Sequence, residues 1–346
     1  MSGETVRQSA PTLHDVAREA GVSLATASRA LNGSNRKVAE SYRLRVVEAA
    51  ERLGYTPNLS AQAIARGTSA TIALLVADIA DPYFGQIAAG VAQAADQAGL
   101  ILTIAITERD PDRELTVVRA LRGQRPRGVI LASSRDSSGD ADGLADELAA
   151  IQRVGGRVVT LGAALDGSRV VEYDNRAGAE ALGAKLAEIG YRRAILLAGA
   201  EGLRTSDNRV AGFTSGFTSA GGEAPRVVRG TISRDSGYEL ASALVAEGVE
   251  PGTLLVGVAD VVAIGAISAI RDAGRTPGAD IAVAGFDDIA SARDITPSLT
   301  TVHVPLEQLG RAALRAIIDT EWEGSTVPTL DVKLRDSTPP RTPTKG

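Results

Sequence analysis

The sequence predicts two parts: an N-terminal all-α helix-turn-helix headpiece and an α/β domain of two doubly wound parallel-sheet subdomains. Three short helical segments come first, at about 13–20, 24–32 and 40–53. From Thr71 onward, continuous apolar runs of strand length alternate with amphipathic helices. Strands that are apolar throughout and alternate with helices are typical of parallel sheets covered on both faces. Because this second region spans ~270 residues, two such sheets fit it better than one.

The first helical segment carries a start signal and a stop signal. Thr12 stands at the expected N-cap, and Asp15 three residues later completes a capping box near the positive helix end. Gly21 follows where a tight turn requires a positive φ. The apolar stripe of the helix is formed by Leu13, Val16, Ala17 and Ala20. The segment is therefore predicted to be a short amphipathic helix that ends in a sharp turn.

A second short helix follows that turn. Ser23 is its expected cap, and the helix runs over Leu24–Asn32. Its inward face consists of Ala27, Ala30 and Leu31. Two short helices joined by a tight turn with glycine form the helix-turn-helix pattern, whose second helix enters the DNA major groove. A capped helical hairpin with another role has the same spacing, so the pattern alone leaves DNA binding open.

The side chains of this second helix suit a DNA groove. Arg29 can donate paired hydrogen bonds to guanine O6 and N7, worth ~1–3 kcal/mol of discrimination between bases. The hydroxyls of Thr26 and Ser28 suit phosphate oxygens, which set the register on the duplex. Leu24 and Ala25 have no side-chain donors, so they could contact only thymine methyls or respond to the shape of the groove.

The remaining segments supply the elements of the two sheets. After a turn-rich joint with Gly54 and Pro57, a short helical stretch is predicted over Leu59–Arg66. The predicted strands are Ile72–Ala77, Leu100–Thr107, Gly128–Ala132, Arg157–Leu161, Ala194–Ala198, Thr253–Val258 and Ile281–Phe286. Amphipathic helices lie between them, such as Phe84–Ala98, Arg113–Gly123 and Ala177–Ile189.

Composition and charge limit the classes of function. The 346 residues carry a net charge of −5, but residues 1–68 hold 9 basic against 6 acidic residues and the remainder 28 against 36. A basic end on an acidic body fits a nucleic-acid-binding head, although chance scatter over a short segment gives the same asymmetry. The chain has no cysteine and two histidines, which argues against disulfides and against thiolate or His-rich metal sites. No cofactor and no metal are expected.

The compartment is predicted from apolar patterning. No apolar run approaches the ~18 residues needed to cross a bilayer. The first eleven residues are polar and lack the apolar region of a secretory signal. A cytoplasmic protein without a membrane partner is therefore expected.

Seven sequence motifs follow one another along the chain. They are TLHDVAREAGVSLATASRALNG at 12–33, GYTPNLSAQAIARG at 54–67, DPYFGQIAAGV at 81–91, RVAGF at 209–213, GFDDIA at 285–290, PSLTTVHVP at 297–305 and LRDST at 334–338. In this order they resemble the LacI/GalR (lactose and galactose repressor) family of transcription regulators, over about residues 12–338. The resemblance implies a helix-turn-helix headpiece and a sensing domain similar to periplasmic sugar-binding proteins.

By this resemblance, the headpiece and the hinge that follows it supply the DNA-binding residues. Base-contacting positions are occupied by Leu24, Ala25 and Arg29, and positions on or near the DNA backbone by Thr26, Ser28, Asn32 and Asn58; Thr12 is counted with the DNA-binding set. Ile64 stands where the family usually has a leucine that wedges into the minor groove and kinks the duplex. Ala61 and Ala65 would keep paired hinge helices slim, and the alternative for Ile64 is a core residue of a packed helix. A hinge this short is expected to fold only when two copies pair over DNA.

The resemblance also places an effector between two lobes, in a cleft that closes on it. Ligands of open α/β sheets lie beyond the carboxyl ends of the strands. The predicted effector-binding residues there are Asp78, Tyr83, Phe84, Tyr173, Arg209, Asp260 and Asp287. Arg209 falls where the family grips sugar hydroxyls, and Asp287 falls on an acceptor position. Structural alternatives stay open, because an Arg–Asp pair can be a plain ion pair and Tyr83 and Phe84 can simply close the core.

Two departures from the family pattern bear on the effector. Ala259-Asp260 replaces the usual Asn-Asp, and Gly162-Ala163-Ala164 stands where an acidic residue or an Asp-Arg pair is common. Each lost hydrogen bond is worth ~1 kcal/mol net. A sugar or sugar derivative is still expected, and a bulkier, less polar or differently hydroxylated effector also fits.

The sequence therefore predicts a non-enzymatic transcription repressor of carbohydrate-utilisation genes, which binds a palindromic operator as a homodimer and responds to a small sugar-like effector. The alternatives are a nucleoside or purine ligand, a protein corepressor, or, less favoured, a ligand-binding protein or an enzyme with Asp287-Asp288 as an acid/base pair. The predicted organisation is a disordered N-terminus 1–11, headpiece 12–56, hinge helix and linker 57–69, two-lobed effector-binding and dimerisation domain 70–338, and disordered tail 339–346.

Overall fold

The computed structural model describes residues 11–32, 38–56, 69–132, 143–162, 164–250, 252–324 and 330–341. The chain forms two compact units, which divide between Arg66 and Gly67. The predicted hinge residues Asn58, Ala61, Ile64 and Ala65 lie outside the described residues, as does the side chain of Asn32. Within the described part, no helix is both long and apolar enough to cross a bilayer.

The headpiece consists of three helices: α1 (Leu13–Ala20), α2 (Leu24–Asn32) and α3 (Glu40–Leu53). Their bounds are those that the sequence predicted. Gly21 has the positive φ of 63° that the tight turn between α1 and α2 requires. The core is made of small side chains, namely Val16, Ala17, Ala20, Ala27, Val46, Ala49 and Ala50. Small core residues allow these short helices to approach closely.

The first lobe of the α/β domain contains a five-stranded parallel sheet in the order β2-β1-β3-β4-β5. Its strands are β1 (Thr71–Val76), β2 (Ile101–Ile106), β3 (Gly128–Leu131), β4 (Arg157–Leu161) and β5 (Arg169–Val171). Its helices include α4 (Pro82–Gln97), α5 (Pro111–Gly123) and α6 (Leu144–Arg153). Strands β1 and β3 are almost entirely buried, as expected of central strands covered by helices on both faces.

The second lobe contains a four-stranded parallel sheet in the order β7-β6-β8-β9. Its helices are α7 (Asn175–Glu188), α8 (Arg204–Ser219), α9 (Arg234–Glu247), α10 (Asp260–Asp272) and the short α11 (Ser291–Asp294). Its strands are β6 (Ala194–Ala198), β7 (Arg226–Arg229), β8 (Leu254–Gly257) and β9 (Ala282–Ala284). The sheet order reverses at β6, which is where open α/β sheets form a crevice.

The chain passes between the two lobes three times. The first passage follows β5, and the second follows β10 (Thr301–His303) and leads into α12 (Leu306–Ile318). Helix α12 packs on α4 and on strands of the first lobe, and the chain then returns to β11 (Asp331–Lys333), which pairs with β10. Three connections make the lobes one unit while leaving a cleft between them.

Helices α4 and α12 cross at very short range. A Cβ atom on Gly90 would lie 2.1 Å from the Glu307 carbonyl oxygen, and one on Gly310 would lie 2.2 Å from the Ile87 carbonyl oxygen. Both glycines therefore permit a backbone-to-backbone approach that any side chain would block. This crossing holds α12, which comes from the second lobe, against the first lobe.

The structure differs from the sequence prediction in several short elements and at the start of the C-terminal tail. The seven predicted strands are present, but the short strands β5, β7, β10 and β11 were not predicted. The predicted tail is also ordered at its start, because Tyr191 donates a hydrogen bond to the Pro339 carbonyl at 2.9 Å and the Arg341 amide donates to the Ile189 carbonyl at 2.8 Å.

Candidate functional site

Helix α2 presents an accessible row of side chains opposite the headpiece core. Leu24 is 39% exposed and Ala25 is exposed, whereas Ala27 on the inner side is fully buried. Thr26, Ser28 and Arg29 are half-buried beside them. Five of the six residues of α2 that are predicted to contact DNA thus have exposed or half-buried side chains, which is the property that base reading requires.

The first turn of α2 is held by a serine cap, as predicted. The Thr26 amide donates to the Ser23 hydroxyl oxygen at 3.2 Å, and the two hydroxyl oxygens lie 2.8 Å apart. Arg29 donates from Nε to the Ala25 carbonyl at 2.9 Å. That bond lays the side chain along the helix and does not use Nη1 and Nη2, the pair that a bidentate contact with guanine can use.

Thr12 is occupied by the capping box of α1. Its hydroxyl donates to Asp15 Oδ2 at 2.7 Å, and its amide donates to the same oxygen at 3.0 Å. These hydrogen bonds hold the pKa of the exposed Asp15 carboxyl below its usual value. A contact between Thr12 and a DNA phosphate would therefore compete with the capping box for the hydroxyl proton.

A cavity of about 450 Å³, part of it open to solvent, lies between the two lobes of the α/β domain. The first lobe contributes Asp81, Tyr83, Phe84, Arg109, Ala132 and Leu161, and the second lobe contributes Thr205, Arg209, Ile232, Ala259 and Asp287. Because both lobes supply walls, a molecule in the cavity would contact both and could change how they close.

Arg209 is the centre of the hydrogen bonds on the second-lobe wall. Its guanidinium donates to Asp287 Oδ1 at 2.8 Å, Asn175 Oδ1 at 2.8 Å, the Val258 carbonyl at 2.6 Å and the Tyr173 hydroxyl at 3.0 Å. It also stacks 3.9 Å over the ring of Phe286. These contacts fix the planar group in one orientation, which is how arginine presents donors to a ligand.

Arg209 and Asp287 form a buried ion pair, with side chains 6% and 4% exposed. Burial is the largest single influence and lowers the pKa of Arg209, but Asp287, Tyr173 and Tyr83 together outweigh it, so that pKa is raised and the guanidinium stays charged. Burial raises the pKa of Asp287, and Arg209 opposes that rise. Asp287 also has a φ of 121°, a strained backbone conformation that costs about 1–3 kcal/mol. Strain of this kind commonly occurs at ligand sites.

The predicted aromatic residues have different positions. Tyr83 and Phe84 line the cavity, with ring centroids 4.9 Å apart in an edge-to-face arrangement. Tyr173 is buried behind the wall, and its hydroxyl lies 3.2 Å from that of Tyr83. Because the Tyr173 oxygen accepts from Arg209, its own proton can be donated to Tyr83. Tyr173 thus supports Tyr83 and Arg209 and does not line the cavity, so a direct effector contact by Tyr173 stays a prediction.

Two predicted carboxylates are also outside the cavity wall. Asp260 is fully buried, where it accepts hydrogen bonds from the Thr301 hydroxyl at 2.6 Å and the Ile289 amide at 2.9 Å. Asp78 is exposed and accepts from the Ala80 amide at 2.8 Å. Asp260 is bonded to Thr301 and Ile289 and Asp78 to Ala80, and neither lines the cavity, so a direct effector contact by either residue stays a prediction.

The neighbouring carboxylates Asp287 and Asp288 are bound to different side chains. Asp287 bonds to Arg209, whereas Asp288 accepts from Arg335 at 2.5 Å and lies 2.9 Å from His303 Nδ1. The two side chains therefore point to different partners. This arrangement gives no support to the enzyme alternative in which the two carboxylates act as an acid/base pair.

The sequence prediction missed two residues that line the cavity, Asp81 and Arg109, and one that supports it, Asn175. Asp81 caps α4 by accepting from the Tyr83 amide at 2.9 Å, and Arg109 follows β2 with a φ of 58°. Asn175 orients Arg209. Asp81 and Arg109 stand just after strands β1 and β2, so the rule that ligands gather at carboxyl ends of strands could have found both.

A helix-turn-helix headpiece joined to a two-lobed α/β domain with a charged, aromatic-lined cleft defines a ligand-responsive, DNA-binding transcription regulator. Comparison with known proteins agrees. Residues 69–333 match the family of periplasmic binding proteins and the sugar binding domain of the LacI family, and residues 12–58 match the bacterial regulatory proteins of the lacI family. The chain belongs to the LacI family of transcription regulators.

Relatives and solved structures cover almost the whole chain. The HTH-type transcriptional regulator DegA of Bacillus subtilis (strain 168) is 30% identical over 301 residues, which are 86% of this chain and 88% of DegA. A Lac repressor dimer bound to operator and the anti-inducer ONPF aligns with a TM-score of 0.79 at 26% identity, over 95% of this chain and 99% of that one. A complex of the transcriptional regulator CelR with cellobiose aligns with a TM-score of 0.66 at 28% identity, over 94% and 99%.

Proposed function

We propose that two copies of this chain bind an inverted-repeat operator through α2, and that a small effector in the cleft changes the affinity for that operator. The observation that carries the proposal is the Arg209–Asp287 pair, held on the wall of a cavity that both lobes line. The effector is a sugar or sugar derivative, and the protein acts as a repressor in the cytoplasm. It is not an enzyme.

The DNA-binding half of the proposal rests on α2 and on the hinge. Leu24, Ala25 and Arg29 read bases, while Thr26 and Ser28 contact phosphates. In the segment after the headpiece, Asn58 contacts the backbone and Ile64 enters the minor groove, with Ala61 and Ala65 allowing two hinge helices to pair. A two-fold dimer matches the symmetry of an inverted repeat, as in the Lac repressor dimer bound to operator.

The effector half rests on the chemistry of the cleft. Arg209 offers donors and Asp287 offers an acceptor within 2.8 Å of each other, which suits neighbouring hydroxyl groups. Tyr83 supplies an apolar ring edge and a hydroxyl beside them. The alignment with the CelR–cellobiose complex supports a carbohydrate. The paired rings of Tyr83 and Phe84 also suit a planar base, so a nucleoside or purine is the second candidate.

The DNA-binding half is tested by fluorescence anisotropy with a selected inverted-repeat duplex and with random DNA. We expect Arg29→Ala to cost about 1–3 kcal/mol and to relax one base position in each half-site. Arg52→Ala is the matched control, because Arg52 lies on α3 in an exposed ion pair with Glu19. If Arg29→Ala weakens binding equally for every DNA sequence, Arg29 contacts a phosphate and not a base. If the wild-type protein prefers no inverted repeat over random DNA, the proposal is overturned.

The effector half is tested by titrating sugars, nucleosides and purines into the operator complex. We expect one of these classes to change operator affinity in the wild type and not in an Arg209→Met variant. If operator binding responds to a protein partner and to none of these small molecules, the protein does not sense a small effector directly and instead uses a protein corepressor.

A further inference from the structure

Helix α12 begins next to the loop that carries Asp287. The Asp287 amide donates to the Val302 carbonyl at 3.0 Å, and the Val304 amide donates to the Asp287 carbonyl at 3.3 Å. The amide of Leu306, the first residue of the helix, donates in turn to the Val304 carbonyl at 2.8 Å. Backbone hydrogen bonds therefore connect the acceptor Asp287 of the cleft with the start of α12.

The other end of α12 is held by two half-buried arginines of the first lobe. Arg157, at the start of β4, donates to the Ile317 carbonyl at 2.5 Å and to the Asp319 carbonyl at 2.7 Å. Arg169, at the start of β5, donates to the Ala316 carbonyl at 2.8 Å and also to the Asp319 carbonyl. The last carbonyls of a helix have no partner within the helix, and its C-terminus favours a cation. Together the two side chains form an arginine clamp on the end of α12.

The arginine clamp lies at the edge of the sheet where the chain enters the α/β domain. The Arg157 amide donates to the Arg127 carbonyl at 3.0 Å, and the Arg127 amide donates to the Thr71 carbonyl at 2.8 Å. Thr71 is the first residue of β1, the strand that follows the predicted hinge segment in the chain. A short series of hydrogen bonds thus joins the end of α12 to the strand that follows the hinge.

Helix α12 is packed tightly along its length. Its 13 residues give a rod of about 20 Å. Gly90 and Gly310 bring its backbone against α4, and a Cβ on Gly128, at the start of β3, would lie 2.6 Å from the Ile317 side chain. Because a close-packed interior transmits strain, a displacement of this helix at the Asp287 end also moves the clamped end.

We infer that α12 carries the effector signal from the cleft to the hinge, and that Arg157 and Arg169 are positioning residues that couple the end of this helix to the first lobe. The inference rests on the proposed function, since it places the effector at Asp287 and the operator at the headpiece. An effector shifts the Asp287 loop and α12 with it, and the arginine clamp passes that shift to β1. Without the clamp, effector and operator bind independently of each other.

The first experiment uses operator DNA and the fluorescence of Trp322. This single tryptophan of the chain lies just after Asp319 and packs on the core of the α/β domain, so it reports on the clamped end of α12. We expect a selected inverted-repeat duplex to change the emission of the full-length wild type, and a random duplex of equal length to change it much less. Arg169→Met should lose this response, and Arg153→Met, an exposed substitution on α6, should keep it.

Two results of this experiment overturn the inference. One is a wild-type emission that does not respond to the operator, and the other is an equal response in the wild type and in Arg169→Met. If circular dichroism shows that Arg169→Met does not fold, Arg157→Met removes the other half of the clamp and is expected to behave in the same way. Arg169→Lys keeps one cationic donor and should restore part of the response.

The second experiment measures the coupling between effector and operator. The sugars, nucleosides and purines that change operator affinity in the wild type are titrated into the operator complexes of Arg169→Met and Arg153→Met. Allosteric coupling commonly changes affinity about 5–150-fold. We expect this factor to approach one in Arg169→Met and to be unchanged in Arg153→Met, while isothermal titration shows little change in ligand affinity without DNA.

The outcomes of the second experiment separate the inference from the proposed function. If a ligand changes operator affinity by the same factor in Arg169→Met and in the wild type, the inference is overturned and the proposed function stands. If no ligand changes operator affinity in the wild type, the proposed function fails and the inference fails with it.

Discussion

Asp260 shows how a residue can influence a site without lining its cavity. Its amide donates to the Phe286 carbonyl at 2.8 Å, and its carboxylate accepts from Ile289 and Thr301. These bonds enclose the strained segment Asp287-Asp288, whose φ angles are 121° and 56°. Asp260 therefore positions the acceptor Asp287 from behind, and it does so with a fully buried carboxyl group.

The buried carboxyl of Asp260 gives a pH-dependent prediction. Burial raises its pKa to about 7, from a usual value of 3.8. Because the folded state holds this proton more tightly than the unfolded chain, the stability contributed by the neutral form is present at low pH and lost as pH rises toward 7. Relative to Asp260→Asn, wild-type stability should fall by about 1.4 kcal/mol per pH unit between about pH 4 and pH 7.

The measurement is urea unfolding of both proteins at several pH values, followed by Trp322 fluorescence. Taking the difference between the two proteins cancels the titration of every other group that behaves alike in both. A difference in unfolding free energy that stays constant from pH 4 to pH 7 would show that Asp260 is ionised in the folded protein throughout.

The residues of the cleft also show how far the site could be predicted from the sequence. Arg209 and Asp287 were placed at the cleft by their positions after predicted strands, and the structure brings them within 2.8 Å. Asp260 also follows a strand, yet its carboxylate turns inward to the Ile289 amide. Side-chain direction depends on contacts with Thr301, 41 residues further along the chain, and no local pattern reports such a contact.

At the scale of elements, the crossing of α4 and α12 gives a second test. A methyl group on Gly310 would lie 2.2 Å from the Ile87 carbonyl, so Gly310→Ala must push the two helices apart. The expected cost of such overpacking is about 1–3 kcal/mol. Gly85→Ala is the control in α4, because nothing lies within 4 Å of the added Cβ and alanine favours helix by up to about 1 kcal/mol. We therefore expect Gly310→Ala to lower the melting temperature and Gly85→Ala to raise it. A lower melting temperature for both variants would contradict this account.

Long, strongly patterned elements could be predicted and short ones could not. The bounds of α1, α2 and α3 agree with the prediction because caps such as Thr12, Ser23 and Gly21 mark their ends locally. Strand β7 (Arg226–Arg229) is a largely exposed edge strand in which two valines lie between two arginines, so it lacks the longer apolar run that marked the others. Strands β10 and β11 have three residues each and depend on pairing with one another.

At the scale of the molecule, two parallel sheets could be predicted from alternating strands and helices, but the three passages between lobes could not. The second passage depends on Gly90 and Gly310, which are far apart in the sequence and together allow α12 to pack closely on α4. This contact between α4 and α12 exists only in the folded chain, so no local sequence pattern predicts it. The cleft that these passages create is what gives Arg109 and Arg209 a shared cavity.

The division into two compact units predicts two unfolding transitions. The headpiece core consists of seven small side chains, which bury little apolar area, whereas the α/β domain buries a large core around two sheets. Heating should therefore melt headpiece helices first, seen as an early loss of far-UV circular dichroism while Trp322 fluorescence is unchanged. Operator DNA at 100 times its Kd should stabilise the first transition by about 2.7 kcal/mol, and a cleft ligand at the same ratio should stabilise only the second. Coincident transitions by both probes, shifted together by either ligand, would show instead that the two units unfold as one.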